Sequence, residues 1–330
     1  MGAAEGTQSG PKRPRIVPAV PLRSRIRSAL QPLAGARTNT VVRELDQIRK
    51  EQRRQHDLLL RTQRALDALV RAAYLDHDSL AYPERLTVRR FGVLSQNAED
   101  GILLELLKEG VQSTRRFVEI GCGGNGGNSG FLAVELGFTG LMLDGSADAV
   151  AESRLRFNAE RVTVAEARVT RENVDELLAG HGVTGEIDVL SLDIDGNELW
   201  IWERLSACSP RLVIVEYNAF FGPSRSVAVP YDPAFSHDGS PYFGASLAAL
   251  ARVGARNGYR LVAVEQRGAN AFFLRNDVAP HIPGCSAESV YAPLLSPRLL
   301  YTAMGGRKAE RLAQREADLA QSGLELVEID

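Results

Sequence analysis

Apolar runs rich in β-branched residues alternate with helical stretches through the middle of the chain, and this alternation limits the fold more than any other feature. The first five runs are residues 117–120, 141–143, 162–165, 189–192 and 212–215, and the helical stretches between them are 130–136, 147–157, 171–178 and 198–205. The runs are apolar at nearly every position rather than at every second one, so both faces are expected to be covered, as in a parallel sheet. Repeated strand–helix alternation predicts a doubly wound, mostly parallel α/β sheet. Two further runs, 261–264 and 271–274, are separated only by 266–270. That gap is too short for a crossover and predicts an antiparallel terminal hairpin, closing a seven-stranded sheet with an antiparallel edge strand.

The chain has 330 residues and a formal net charge of −2. That is enough for one large domain with appendages, without the basic excess of a nucleic-acid binder. No apolar run approaches the roughly 20 residues a membrane helix needs, and the basic opening stretch lacks the apolar core of a secretory signal. Cys122, Cys208 and Cys285 are far apart and odd in number. They form neither a disulfide framework nor a zinc spacing, which suits a reducing, cytoplasmic setting.

Residues 1–38, with Lys12, Arg13, Arg15, Arg23, Arg25 and Arg27 among Pro11, Pro14, Pro18 and Pro21, read as a disordered basic arm. Residues 39–75 read as a long helix. Val41, Leu45, Ile48, Leu59, Leu66 and Leu69 fall on steps of four and three, or their sums, with Gln52, Gln55 and Thr62 in the middle of the seam. Such a seam either joins copies of the chain through residues 41–73, as a coiled coil, or packs along its own domain. Residues 76–278 are the expected α/β domain and 279–330 a C-terminal extension, in which 308–321 has the alternating charges of a solvated helix. Residues 219–243, rich in Pro, Gly, Ser and aromatics, interrupt the pattern after the fifth strand as a lid or binding loop, or else as a disordered segment.

The first strand ends in Glu119, Ile120 and Gly121 and runs into Cys122, Gly123, Gly124, Asn125, Gly126, Gly127 and Asn128. Glycines there let the backbone approach a ligand closely. Glu119 sits where a cationic amino group could be bound, which suits the methionine end of S-adenosylmethionine and would repel a pyrophosphate. Asp144, at the end of the second strand, is placed to accept hydrogen bonds from ribose hydroxyls.

The fourth strand ends in Asp193, Ile194, Asp195, Gly196, Asn197 and Glu198. Asp193 is expected at the carboxyl edge, where open α/β sheets bind ligands, with Asp195 on the same side if strand geometry persists. Glu216 and Asn218 end the neighbouring strand. Asp193, Glu216 and Asn218 make an oxygen-rich set suited to Mg²⁺, which would bind a diol and lower a hydroxyl pKa. In the metal-free alternative, favoured here, Asp193 or the loop histidine His237 removes the proton.

Ser95, Gln96, Glu99 and Asp100 at a helix start, the turn Glu119-Ile120-Gly121, and the run Asp193-Ile194-Asp195-Gly196 followed by Glu198 together resemble the FkbM-type methyltransferases, in the same order and over residues 95–275. The resemblance implies a class I, Rossmann-like fold and S-adenosylmethionine-dependent O-methylation of a sugar, glycan or secondary-metabolite hydroxyl. It also implies that Glu119, Gly121, Gly123 and Asp144 hold the cofactor, with Gln96 and Asp100 near its amino-acid end. The glycine loop is longer than the family pattern.

Two other readings use the same residues. One is an NAD(P)-dependent oxidoreductase, against which Glu119 and the terminal hairpin weigh. The other is a non-catalytic cofactor-binding module assembled by the heptad helix. The acceptor is expected to be a small molecule or glycan rather than a specific nucleic acid, and no Gly-x-Ser-x-Gly elbow marks a serine hydrolase.

Overall fold

The computed structural model describes residues 36–74, 80–89, 91–265, 267–291 and 323–330. The basic arm, apart from its last three residues, and the charged stretch 308–321 lie outside the described residues. Contacts divide the chain into two units, residues 1–59 and 60–330. Helix α1, Ala36–Tyr74, is 39 residues long and starts three residues ahead of the boundary expected for it. No described helix is long and apolar enough to cross a membrane.

Every strand expected from the sequence is present: β1 (Arg116–Ile120), β2 (Thr139–Asp144), β3 (Val162–Glu166), β4 (Gly185–Leu192), β5 (Cys208–Glu216), β7 (Tyr259–Val264) and β8 (Asn270–Arg275). They form one seven-stranded sheet in the order β3-β2-β1-β4-β5-β8-β7. The first five pair in parallel, and β8 pairs antiparallel with both β5 and β7. The antiparallel strand therefore lies one place inside the edge, not at it. Its Ala271, Phe272, Phe273 and Leu274 are all buried, so the strand needs neighbours on both sides and cover on both faces.

Side chains of successive strand residues point to opposite faces, and both faces are packed. Val118, Leu141, Leu190, Val213 and Phe273 belong to one core, Phe117, Met142, Val189, Ile214 and Phe272 to the other. Helices α2 (Glu84–Val88), α3 (Glu99–Leu106), α4 (Gly130–Val134), α5 (Ala147–Arg156), α6 (Val174–Gly180), α7 (Glu198–Arg204), α8 (Leu247–Arg256) and α9 (Ala287–Tyr291) complete the α/β layers. Helix α3 is entered through Ala98 in a left-handed conformation, φ 73°, and not capped at its first residue by Ser95. Ser95 Oγ instead accepts the N–H of Asp100, inside the first turn, at 3.2 Å.

Residues 219–243 are held rather than loose. Trp200 Nε1 donates to Val229 O at 3.0 Å, Asn197 Nδ2 to Asp232 O at 2.8 Å, and Phe235 lies over Gly196, where a Cβ would come within 2.5 Å of its ring. The short strand β6 (Val227–Ala228) pairs antiparallel with β9 (Val327–Glu328), so the chain's last residues close over the same loop. Within the stretch read as a C-terminal extension, Ile282, Tyr291 and Ile329 are buried in the domain's cores.

Candidate functional site

In a parallel sheet the carboxyl ends of the strands carry the ligand cleft, and here those ends gather carboxylates. Asp193 follows β4, Glu216 ends β5, Glu265 follows β7, and Glu99 opens α3. Because β8 runs antiparallel, its first residue, Asn270, lies at the same edge and is the cross-strand partner of Glu216. The Asn270 amide donates to Glu99 Oε1 at 3.1 Å and also faces Asp193. Asn270 Oδ1 is buried and has no partner.

Burial, then the charges of Glu198, Asp195 and Glu99, pushes Asp193 up to about 7. Burial and the charge of Glu99 push Glu265 to about 7 as well. Glu216 is raised well above the carboxylate range by burial and by Asp193, Glu198 and Asp195. Asn270 and Glu265 were not foreseen as site residues. The signal was the hairpin itself: an antiparallel return brings the residues of its turn to the carboxyl edge.

The loop after β4 is built on backbone hydrogen bonds. Glu198 Oε1 accepts the N–H groups of Ile194 and Gly196, both at 2.9 Å. Asp195, at φ 58°, donates its N–H to Glu216 Oε2 at 3.1 Å and points its half-exposed carboxylate outward. His237 reaches it from the long loop, with Nδ1 at 3.5 Å from Asp195 Oδ1, Nε2 at 2.8 Å from Ser240 O, and its ring against Phe243. The structure thus brings Asp193, Asp195, Glu216 and His237 to one edge.

Asn218 does not join them as a ligand. Its Nδ2 donates to Pro241 O and Phe243 O at 2.8 Å, its Oδ1 accepts from Phe220 N at 2.9 Å, and the residue is 1 % exposed. The set Asp193, Glu216 and Asn218 expected for Mg²⁺ is therefore not assembled: the amide anchors the ends of the long loop. Among the described residues no group of three or more His, Cys, Asp or Glu is disposed to hold a metal ion.

On the donor side, Glu119 departs from its expected place. It is fully buried, its oxygens accept the N–H groups of Asn128 at 3.1 Å and Ser129 at 3.0 Å, and burial pushes it up to about 8. A strand residue next to a helix start is drawn to the free N–H groups there, so Glu119 shapes the glycine loop from inside and is not presented to an amino group. The glycines are close-packed too. A Cβ on Gly121 would sit 1.7 Å from Asp193 O, one on Gly126 2.3 Å from the Phe157 ring, and one on Gly127 2.0 Å from Glu119 Oε1.

Asp144 stays partly exposed at the tip of β2. Its Oδ2 accepts from Gly123 N and its Oδ1 from Ser146 N, both at 2.8 Å. Each oxygen keeps a lone pair for another donor. Gln96 is exposed beside the start of α3. Asp100 is buried with Oδ2 accepting from Val93, Leu94 and Ser95, while Oδ1 has no partner. Asp144, with lone pairs to spare at a partly exposed strand tip, and the exposed amide of Gln96 are acceptors of the kind a ribose diol and an ammonium call for, and these residues fit an S-adenosyl donor. Asp100, like Glu119, has no exposed surface and braces residues 93–95 behind Gln96.

The methyltransferase FkbM domain family matches residues 93–261, just over half of the chain. The chain belongs to the FkbM methyltransferase family. It is an S-adenosylmethionine-dependent methyltransferase, and the oxidoreductase reading of the glycine loop falls away. Among solved structures, the chain is similar to the N-terminal domain of EvdMO1 with S-adenosylhomocysteine bound, at 12% identity and a TM-score of 0.38, over 54% of this chain and 80% of that one. It is also similar to TnmH, at 19% identity and a TM-score of 0.30 over 49% of this chain, spanning only 50% of TnmH. A third is the O-methyltransferase NcsB1 from neocarzinostatin biosynthesis, at 17% identity and a TM-score of 0.29, over 52% of this chain and 55% of that one. No curated protein matches the chain.

Proposed function

We propose that this methyltransferase O-methylates a hydroxyl of a sugar, glycan or secondary metabolite, without a metal, and that Asp193 is the proton acceptor. The observation that carries the reading is the meeting of Asp193, Asp195, Glu216 and His237 at the tips of β4 and β5, beside the Asp144 and glycine-loop edge. S-adenosylmethionine supplies an already activated methyl group, so the protein has to hold the acceptor in line and take up one proton.

Asp144 is assigned to the ribose, the Gly121–Gly123 backbone to the donor's amino-acid portion, and Gln96 to its charged end, with Asp100 holding the 93–95 backbone behind it. Asp193, raised to about 7, is a base matched to neutral pH. Asp195 and His237 close the acceptor side, and a row of hydroxyls is the complement of so many hydrogen-bond acceptors. Free Cys122, Cys208 and Cys285 support a reducing, cytoplasmic location.

The test is transfer of labelled methyl groups to a panel of sugars, glycans and polyketide-type alcohols, with and without chelator, by the parent and by Asp193→Asn. Turnover on a hydroxyl that survives chelator and drops by about 10²–10⁴-fold in the variant is expected. Methylation confined to nitrogen, loss of turnover on chelation, or an Asp193→Asn variant as fast as the parent would overturn the assignment.

A further inference from the structure

We propose that helix α1 pairs with α1 of a second copy of this chain as a parallel, in-register coiled coil. Leu45, Ile48, Leu59, Leu66 and Leu69 lie on one seam of this helix, and all are exposed, Leu59 to 69% and Leu66 to 58%. Across the seam's middle, from Leu45 to Leu60, no described residue is buried. Ala65, further on, is buried, but a stretch of sixteen residues with none buried is held as helix by something other than propensity.

The occupant follows from what lies beside and within the seam. Placing Leu45, Gln52, Leu59 and Leu66 at position a puts Ile48, Gln55, Thr62 and Leu69 at d. Position g then holds Glu44 and Glu51, and position e holds Arg49 and His56. In a parallel pair, g of one helix faces e five residues on in the other. Glu44 thereby meets Arg49 of the second copy, and Glu51 meets His56. In the same register Gln52 faces Gln52 and Gln55 faces Gln55, amide to amide, and leucine layers face leucine layers. A shift by one heptad sets Gln52 against Leu59 and leaves an amide opposite hydrocarbon. The polar layers weaken the seam and select the register. A basic or apolar foreign partner would satisfy neither the glutamine layers nor the alternation of Glu with Arg and His.

The full-length protein is examined by light scattering on a sizing column and by oxidative cross-linking. The parent is expected at twice the chain mass. Ile48→Glu combined with Leu59→Glu is expected at the monomer mass, with its S-adenosylhomocysteine affinity unchanged, which shows that the domain is folded. Ile48→Cys is expected to form a covalent dimer on oxidation, whereas the parent and the outward-facing Lys50→Cys do not. A monomeric parent, a double variant that stays dimeric, or an Ile48→Cys chain that cross-links no better than Lys50→Cys would each overturn the proposal.

Discussion

The N–H of Asp195 donates to Oε2 of Glu216 at 3.1 Å, tying the loop after β4 to the tip of β5. Asp195 makes that bond in the left-handed region, φ 58°, where a side chain is strained. Glu198 fixes the loop by accepting the N–H groups on either side of Asp195. Strain held in place next to a cleft directs the carboxylate at 3.5 Å from His237 rather than serving the fold. Asp195→Gly relieves the backbone but adds freedom to the unfolded chain, so stability should change by less than about 1 kcal/mol. Turnover should still fall by at least about tenfold, since a positioned group is lost. Melting curves and steady-state kinetics measured together check this, and an unaltered turnover would remove Asp195 from the site.

Asp144 is predicted to govern donor affinity. Its two oxygens order Gly123 and Ser146 and keep lone pairs free at the strand tip. Asp144→Ala should weaken S-adenosylhomocysteine binding by about 1–3 kcal/mol, the usual cost of hydrogen bonds left unmade. Calorimetry reads this directly. Equal affinities in parent and variant would mean that the ribose lies elsewhere.

Buried carboxyls predict an unusual dependence of stability on pH. Burial raises Glu119 to about 8 and Asp193 and Glu265 to about 7, and Glu216 shifts the same way. In the unfolded chain such groups titrate near about 4. Between those values the folded protein binds more protons than the unfolded one, so stability falls as pH rises, on the order of 1 kcal/mol per pH unit for each such group. The ligand-free protein should melt at a higher temperature at pH 6 than at pH 8. A flat or reversed trend across that interval would show these groups to be charged in the fold.

Asp188 illustrates what the sequence could and could not show. It belongs to the same acid-rich run as Asp193, yet it lies in the first half of β4, beside the segment that enters β1. There its buried carboxylate accepts from Ser113 N, Thr114 N, Thr114 Oγ1 and Arg115 N. Asp188→Ala should destabilise the protein by about 3–5 kcal/mol while the folded fraction keeps its donor affinity, as urea melts and calorimetry would show. A loss of donor affinity in the folded variant would assign Asp188 to the site instead.

The strands were legible because burial on both faces leaves an unbroken apolar run, as in Leu212, Val213, Ile214 and Val215. The acids at their tips were legible because strand ends mark the cleft. Side-chain direction was not. Glu119 points to backbone N–H groups, and Asn218 binds loop carbonyls rather than an ion. Nor could local pattern find β6 and β9, two residues each and far apart in the chain, which pair only because residues 219–243 fold back over the domain. The insertion of β8 between β5 and β7, which sets Asn270 opposite Glu216, was hidden for the same reason: a hairpin's own pattern does not say which of its strands meets the sheet.

Gly121 joins fold and site at one atom, and its substitution is the severest prediction. It stands at φ 91°, its N–H donates to Leu143 O at 2.8 Å, and a Cβ would lie 1.7 Å from the carbonyl oxygen of Asp193. Asp193 in turn donates its own N–H to Ile120 O at 2.9 Å, so the two strand ends hold each other. The blocking group is backbone and cannot swing aside as a side chain would. Gly121→Ala therefore has to push β4 away from β1, displacing Asp193, on top of placing a side chain in a region that disfavours it. A loss of more than about 3 kcal/mol is expected, together with loss of methyl transfer in any fraction that folds. Gly124→Ala is the contrasting case: its Cβ would meet only the exposed, movable Glu152 side chain. If Gly121→Ala melts and turns over like Gly124→Ala, the close approach of the two strand ends is not what holds Asp193 in place.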